Sequence, residues 1–146
     1  MQLVVFTGLQ AAGKSTFFRE RFFDTHVRVN LDMLGTRHRE RVLFGACLTA
    51  KQPVVVDNTN VTRAERAAYI EPARAAAFEV VGFYFRSVIA ESVARNLRRA
   101  APQRVPERGI VGTASRLQPP SLAEGFGALY YVRIDGGFVV EPWRPT

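Results

Sequence analysis

The feature that most constrains this chain is the segment at residues 8–16, which reads GLQAAGKST and fits the pattern G-x-x-x-x-G-K-[ST]. The two glycines let the backbone curl so that consecutive N–H groups point inward at an anion. A short apolar run at residues 2–7 reads as a buried strand before the segment, and a stretch with helical character follows it. This strand, loop and helix predict a site for a nucleoside triphosphate, and a glycine-rich turn without a ligand is the alternative.

The residues of this loop have separate expected tasks. Lys14 can reach the β- and γ-phosphates, and the hydroxyl of Ser15 can ligate Mg²⁺. The helix that follows contributes its N-terminal dipole and free N–H groups. The candidate nucleotide-binding residues here are Gly8, Gln10, Ala11, Ala12, Gly13, Lys14, Ser15 and Thr16.

Composition sets further bounds. With 146 residues, of which 47% are hydrophobic, the chain can bury one sizeable core, so a single domain over residues 1–146 is expected. Its one cysteine, Cys47, cannot form an internal disulfide, which fits a reducing cytoplasm. Charges interrupt every apolar stretch, and no signal peptide or membrane span is expected.

The net charge of +7 favours phosphate-rich partners such as nucleic acid. Only Lys14 and Lys51 are lysines, and such a bias towards arginine can also reflect genomic base composition. Charge therefore makes a nucleic-acid partner plausible and no more.

Strand and helix signals alternate along the chain. Strands are predicted at residues 2–7, 26–30, 54–57, 79–85 and 130–135, with a terminal hairpin strand at 138–140. One helical stretch is predicted to follow Asp32 and to run through Ala50, and another helix is predicted to begin with a cap at Ser87. This order predicts an α/β fold, with a parallel sheet of about five strands and helices on both faces. The polar residues at 30–32 and 57–60 would then meet at the carboxyl edge of the sheet.

Asp57 ends the apolar run at residues 54–56, the position at which a P-loop fold places a second acidic residue near the Mg²⁺ shell. A turn carboxylate without a metal is the alternative. A GTPase would need an Asn-Lys-x-Asp motif, which the sequence lacks, and a motor ATPase usually has Glu where Asn58 stands. A small phosphotransferase is the class that remains.

Four blocks, in this order and spacing, resemble the polynucleotide 5′-kinase-like P-loop phosphotransferases. They are residues 8–16; residues 29–32; residues 55–60 with Arg66 downstream; and residues 95–99 followed by 104–106. The resemblance implies Mg²⁺-dependent transfer of the ATP γ-phosphate to the 5′-hydroxyl of RNA or DNA. It also implies an arginine-bearing lid at approximately residues 95–118.

The resemblance further implies roles for matching positions. Asp32 would be the general base, Arg95 and Arg99 would close over the donor phosphates with Arg104 joining them, and Asp57 would hold a water on Mg²⁺. Arg99 and Lys14 would be catalytic together with Asp32. Alternatively, Asp32 is a helix N-cap and the arginines form a solvated basic helix end.

Two positions depart from the family pattern. Gly35 stands where the phage member has an arginine that binds the 3′-phosphate of the acceptor, and alignment on Thr59 drops the phage aspartate onto Asn58. Two other functions therefore stay open: a kinase of a small-molecule hydroxyl, and a nucleotide-binding interaction protein with slow ATP hydrolysis.

Overall fold

The computed structural model describes residues 1–144. The strands are β1 (Gln2–Thr7), β2 (Val27–Val29), β3 (Val54–Val56), β4 (Glu79–Phe85), β5 (Ala128–Ile134) and β6 (Phe138–Pro142). The helices are α1 (Lys14–Arg21), α2 (Leu31–Leu34), α3 (Arg37–Ala50), α4 (Arg63–Ala75), α5 (Ile89–Leu97) and α6 (Glu107–Arg116). Among these residues, no helix combines the length and apolar character that crossing a bilayer requires.

The strands form one sheet in the order β2-β3-β1-β4-β5-β6. Neighbouring strands from β2 to β5 are parallel, and β6 turns back antiparallel to β5. The predicted α/β fold with about five parallel strands is therefore confirmed, and the predicted terminal hairpin supplies the sixth strand. Because β1 lies in the middle, the loop that follows it opens at the centre of the carboxyl edge.

The core lies on both faces of this sheet. Leu3 and Val5 of β1 point to one face, where they pack in a cluster with residues of α3 and α4. Val4 and Phe6 point to the other face and pack against Phe17 of α1. This alternation follows the two-residue period of a strand, and it places helices on both faces as predicted.

Two helix boundaries differ from the prediction. The helical stretch before Ala50 is split, because Gly35 adopts φ +84° and ends α2 before Thr36 caps α3. Ser87 does not cap α5, which begins after Val88 without a side-chain cap. The hydroxyl of Ser87 instead accepts a hydrogen bond from the Leu9 amide (3.1 Å), so it supports the loop after β1.

Candidate functional site

The loop between β1 and α1 has the conformation that its glycines predict. Gly13 adopts φ +96° at the N-cap of α1. A Cβ atom at Gly8 would lie 2.9 Å from Cβ of Phe85, so a larger residue would clash with β4. Gly8 also donates its N–H to the carbonyl of Thr59 (2.9 Å), which joins this loop to the segment after β3.

Lys14 lies under the loop and is 8% exposed. Its Nζ atom donates to the carbonyl oxygens of Gly8 (2.9 Å) and Leu9 (2.5 Å). Burial lowers the pKa of Lys14 to about 8, with Arg99 adding to the shift while the charges of Asp57 and Asp32 oppose it. An incoming polyanion would therefore stabilise the charged form of this amine.

Asp57 is buried and contacts Ser15, the other residue of the predicted metal site. Oγ of Ser15 donates to Oδ2 of Asp57 at 3.1 Å, and the aspartate is 1% exposed. Asn58 points elsewhere: its Oδ1 accepts from the amide of Leu31 at 2.9 Å. Of the two aligned candidates, Asp57 is thus the one beside the P-loop serine.

Sequence reasoning missed Arg28, which belongs to the same cluster. Its Nε donates to Oδ2 of Asp57 (2.9 Å) and its Nη2 donates to Oγ of Ser15 (2.8 Å). The position of Arg28 between two valines in a predicted strand marks it as facing away from them, but only the sheet order brings β2 beside β3, at whose end Asp57 lies.

Asp32 lies in the first turn of α2 and is exposed. The alternative that Asp32 caps this helix is wrong, because the N-cap is Asn30, whose Oδ1 accepts from the amide of Met33 (2.9 Å). Nδ2 of Asn30 also donates to the carbonyl of Asp57 (2.5 Å), so Asn30 fixes α2 against the end of β3. Asp32 lines the larger of two cavities at the carboxyl edge of the sheet.

Two cavities flank the P-loop at the carboxyl edge. The larger has a volume of about 820 Å³, and its lining includes these predicted residues: Gln10, Ala11, Lys14, Ser15, Asp32, Asp57 and Arg99. The second, of about 490 Å³, lies beside α1 and the β5–β6 turn, and its lining includes these: Ala11, Gly13, Thr16, Arg95 and Arg99. Arg99 and Ala11 line both cavities, so they mark the boundary between the two. Ala12 packs instead into the core beneath the loop.

The predicted lid, approximately residues 95–118, comprises the C-terminal end of α5, the loop that follows it and α6. Asn96 holds this loop closed, since its Nδ2 donates to the carbonyl of Val105 (2.6 Å) and its Oδ1 accepts from the amide of the same residue (3.0 Å). Nη2 of Arg95 lies 3.8 Å from Oε1 of Glu91, one turn earlier on α5. Nη2 of Arg104 donates to the carbonyl of Arg99 (3.0 Å), just beyond the end of α5. This contact is of the kind that the alternative of a basic helix end predicts for Arg104.

The lid also contacts the P-loop directly. Nε2 of Gln10 donates to Oγ1 of Thr113 in α6 (2.9 Å). Thr113 and its neighbour Ile110 are buried, so α6 packs firmly against the rest of the domain. Movement of α6 would therefore displace or break the hydrogen bond between Thr113 and Gln10.

A buried acidic network at the side of the larger cavity was also missed. Glu40 is 2% exposed and accepts hydrogen bonds from Tyr69, Arg37 (3.0 Å) and Asn58 (2.9 Å). Burial, followed by the hydrogen bond to Glu40, raises the pKa of Tyr69 well above its usual range. Phe44, Gly45 and Leu48 of α3 also line the larger cavity.

Arg66, which forms part of the third sequence block, serves the fold. It is fully buried, and its Nε donates to Oε1 of Glu124 at 2.7 Å. Its Nη1 donates to the carbonyl of Asn60 at 2.8 Å. Arg66 thus anchors the segment that follows Asp57.

The central P-loop, the mainly parallel sheet and the cavities at its carboxyl edge define a nucleotide-binding P-loop domain of kinase-like fold. Residues 35–120 match the AAA domain family; since this is more than half of the chain, the protein belongs to that family. The matched segment begins beyond the P-loop, so the loop at residues 8–16 is an independent observation.

The sequence is 30% identical over 131 residues to the bifunctional polynucleotide phosphatase/kinase of Schizosaccharomyces pombe. The match covers 86% of this chain and 32% of that protein, so the chain spans about a third of its relative.

Solved structures share the fold. Kti12 of Chaetomium thermophilum, in complex with ADP-AlF3, superposes with a TM-score of 0.69 at 16% identity, over 91% of this chain and 89% of that one. The complex AvrRxo1-ORF1:-ORF2 with ATP gives 0.73 at 14% identity, over 95% and 57%. The PezAT toxin-antitoxin system of Streptococcus pneumoniae gives 0.68 at 14% identity, over 94% and 70%. At these identities the likeness concerns the fold alone.

Proposed function

We propose that this chain is a kinase domain that transfers the γ-phosphate of Mg-ATP to the 5′-hydroxyl of RNA or DNA. The observation that carries the proposal is the placement of Asp32 and Lys14 in one cavity with Arg99, which also lines the second cavity. A base, a phosphate-binding amine and an arginine at the boundary between two cavities suit a reaction between two bound substrates. The kinase named in the Schizosaccharomyces pombe relative supports the same reaction class.

The smaller cavity suits the donor nucleoside. It lies between Thr16 of α1, Arg95 of α5 and Phe138 of β6, and it opens onto the P-loop at Gly13. A nucleoside placed there would extend its phosphates across the loop, towards the Lys14 amine. The lid, at approximately residues 95–118, would supply Arg95 and Arg99 to these phosphates.

Ser15 and Asp57 fit a magnesium ion. Magnesium prefers oxygen ligands and is commonly held by one or two protein oxygens together with phosphates and water. The hydroxyl and the buried carboxylate lie 3.1 Å apart beside the loop. Ser15 would bind the ion directly and Asp57 would bind through a water. The ion, when bound, supplies charge neutralisation to the phosphates.

The residues of this chain account for each step of the transfer. Asp32 accepts the proton of the acceptor hydroxyl as the hydroxyl oxygen forms its bond to the γ-phosphorus. The bond between that phosphorus and the β–γ bridging oxygen breaks, and ADP leaves with the electron pair. Lys14 and Arg99 stabilise the negative charge that spreads over the transferring group.

The rest of the larger cavity suits the acceptor. Arg37 and Arg41 of α3 line it and offer positive charge to a phosphate backbone. The net charge of +7 favours the same kind of acceptor.

A small-molecule hydroxyl is the second candidate acceptor, and specific residues favour it. The buried carboxylate of Glu40 faces the cavity that an anionic strand would enter, and Gly35 offers no side chain to bind a 3′-phosphate. An uncharged acceptor would not be repelled by Glu40, and it would need no side chain at position 35 to bind a phosphate.

The deciding experiment is transfer of labelled γ-phosphate from Mg-ATP to short RNA and DNA strands bearing a 5′-hydroxyl, with 5′-phosphorylated strands as blanks. Asp32→Asn should reduce transfer by about 10²-fold or more, while nucleotide affinity stays unchanged. Lys14→Ala should reduce transfer and nucleotide affinity together. Asp24→Asn, the same change at an exposed position, is the matched control.

The acceptor classes separate in the same assay. Labelling of 5′-hydroxyl strands that is lost in Asp32→Asn supports the proposal. Nucleotide binding with no labelled strand refutes it, and a screen of small-molecule hydroxyls then tests the second candidate.

A further inference from the structure

Arg28 touches both oxygen-bearing groups that the proposed metal would use. Its guanidinium donates Nε to Asp57 (2.9 Å) and Nη2 to Ser15 (2.8 Å), and Ser15 in turn donates to Asp57 (3.1 Å). These three side chains, which we term the Arg28 cluster, form a closed ring of hydrogen bonds. Each of the three lies in a different element or at its end, so only the fold assembles them.

The cluster balances charge in a buried setting. Asp57 is 1% exposed, and an isolated carboxylate at that depth would be costly. Arg28, whose side chain is 26% exposed, supplies the opposite charge through a short hydrogen bond. Arg28 thus does for Asp57 what a bound cation would do.

The surroundings of Arg28 allow its guanidinium to move away from Asp57 and Ser15. It stands on β2, one of the two edge strands of the sheet. Its other contacts are weak: Nη1 lies 3.8 Å from Sδ of Met33, and the guanidinium lies 5.9 Å from the ring centre of Phe18. The partly exposed side chain can therefore turn outward without breaking a strong bond elsewhere.

A guanidinium and a divalent cation repel each other strongly at contact distance in a partly buried site. We propose that Arg28 and Mg²⁺ compete for Ser15 and Asp57. Arg28 neutralises Asp57 until the metal arrives with its nucleotide, and it thereby sets the Mg²⁺ concentration that the site needs. This inference rests on the Mg²⁺ dependence contained in the proposed function.

Competition predicts that removal of Arg28 affects nucleotide affinity differently with and without the metal. Without Mg²⁺, removal of Arg28 leaves Asp57 uncompensated beside the phosphates, so nucleotide affinity falls. With Mg²⁺, removal of Arg28 takes away a competitor, so affinity stays equal or rises. The ratio of the Kd for ADP in EDTA to the Kd in Mg²⁺ therefore increases.

The test is calorimetric titration of the full chain with ADP, in excess Mg²⁺ and in EDTA. The Kd ratio should rise by at least about fivefold in Arg28→Met, and the half-saturating Mg²⁺ concentration should fall. Arg28→Gln, which keeps a polar partner for Asp57, repeats the measurement if Arg28→Met folds poorly. Arg21→Met, an arginine exposed at the end of α1, should leave the ratio unchanged.

Three other results would overturn the inference. A wild-type Kd ratio near one would show that Mg²⁺ does not contribute to nucleotide binding at this site. It would refute both this inference and the Mg²⁺ part of the proposed function. A marked wild-type ratio that stays the same in both Arg28 variants refutes only the competition. Loss of affinity in Mg²⁺ as large as in EDTA would make Arg28 a phosphate ligand instead.

Discussion

We expect nucleotide binding to this protein to take up protons, because burial lowers the pKa of Lys14 to about 8 in the free protein. The phosphates of a bound nucleotide place negative charge beside this amine and raise its pKa again. The perturbation is therefore the binding of ADP itself, followed across a range of pH.

The size of the effect follows from the pKa. With a pKa of about 8, the free amine is about nine-tenths protonated at pH 7, about half at pH 8 and about one-tenth at pH 9. Binding should then take up about 0.1 proton at pH 7, about 0.5 at pH 8 and about 0.9 at pH 9. Because the bound state holds more protons, affinity should fall as pH rises, by about fivefold between pH 8 and pH 9.

The assay is calorimetric titration with ADP at pH 8 and pH 9, in buffers that differ in their ionisation enthalpy. The slope of the observed enthalpy against the buffer enthalpy gives the number of protons taken up. A terminal phosphate loses its last proton near a pKa of about 6, so the ligand contributes little at these pH values.

Lys14→Met should abolish the uptake, even where its weaker binding requires higher protein concentrations. Lys51→Met is the matched control, since Lys51 is exposed, its Nζ donates to the Ala76 carbonyl, and this Nζ lies 5.6 Å from the ring centre of Phe78. No uptake by the wild type at pH 8, or uptake that persists in Lys14→Met, would refute this account of the buried amine.

Three further predictions concern the supports of the site. Arg66→Met should lower the free energy of unfolding by about 3–5 kcal/mol in urea titrations, because Glu124 would keep a buried charge without its partner; a double change with Glu124→Met that restores none of the loss would contradict this. Asn96→Ala should speed hydrogen exchange at the Val105 amide by about tenfold or more, and an unchanged rate would show that Asn96 does not hold the lid loop. Gly45→Leu should raise the acceptor KM without changing nucleotide affinity, because Gly45 lines the larger cavity and a Cβ atom there meets nothing within 4 Å, so the new side chain would occupy the cavity. The change should also add about 0.8 kcal/mol to the stability of α3. An unchanged KM would exclude the part of the cavity beside Gly45 from acceptor binding.

Several features of this protein were predictable because they depend on neighbours along the chain. The glycines of residues 8–16 fix a phosphate loop through their own backbone freedom, and the alternation of strands and helices predicts the parallel sheet. Parallel strands bring their carboxyl ends to one edge, so the proximity of residues 30–32 and 57–60 to the loop also followed from the sequence.

The block at residues 95–99 followed by 104–106 was recognisable as a pattern, but its physical reason was not. The structure shows that Asn96 binds both backbone groups of Val105, which holds the lid loop that carries Arg99. Likewise, residues 30 and 32 both suit a helix cap by type, and only the backbone geometry shows that Asn30 is the one that caps.

The sequence by itself therefore determined the P-loop, the fold class and the edge of the sheet at which the site lies. Only the tertiary structure decided that Arg28 joins Ser15 and Asp57, and that Glu40 is buried among Tyr69 and Asn58. The physical reason is distance along the chain. Backbone conformation and strand patterns are set by adjacent residues, whereas these side-chain contacts depend on which strands become neighbours and on how the helices pack across them.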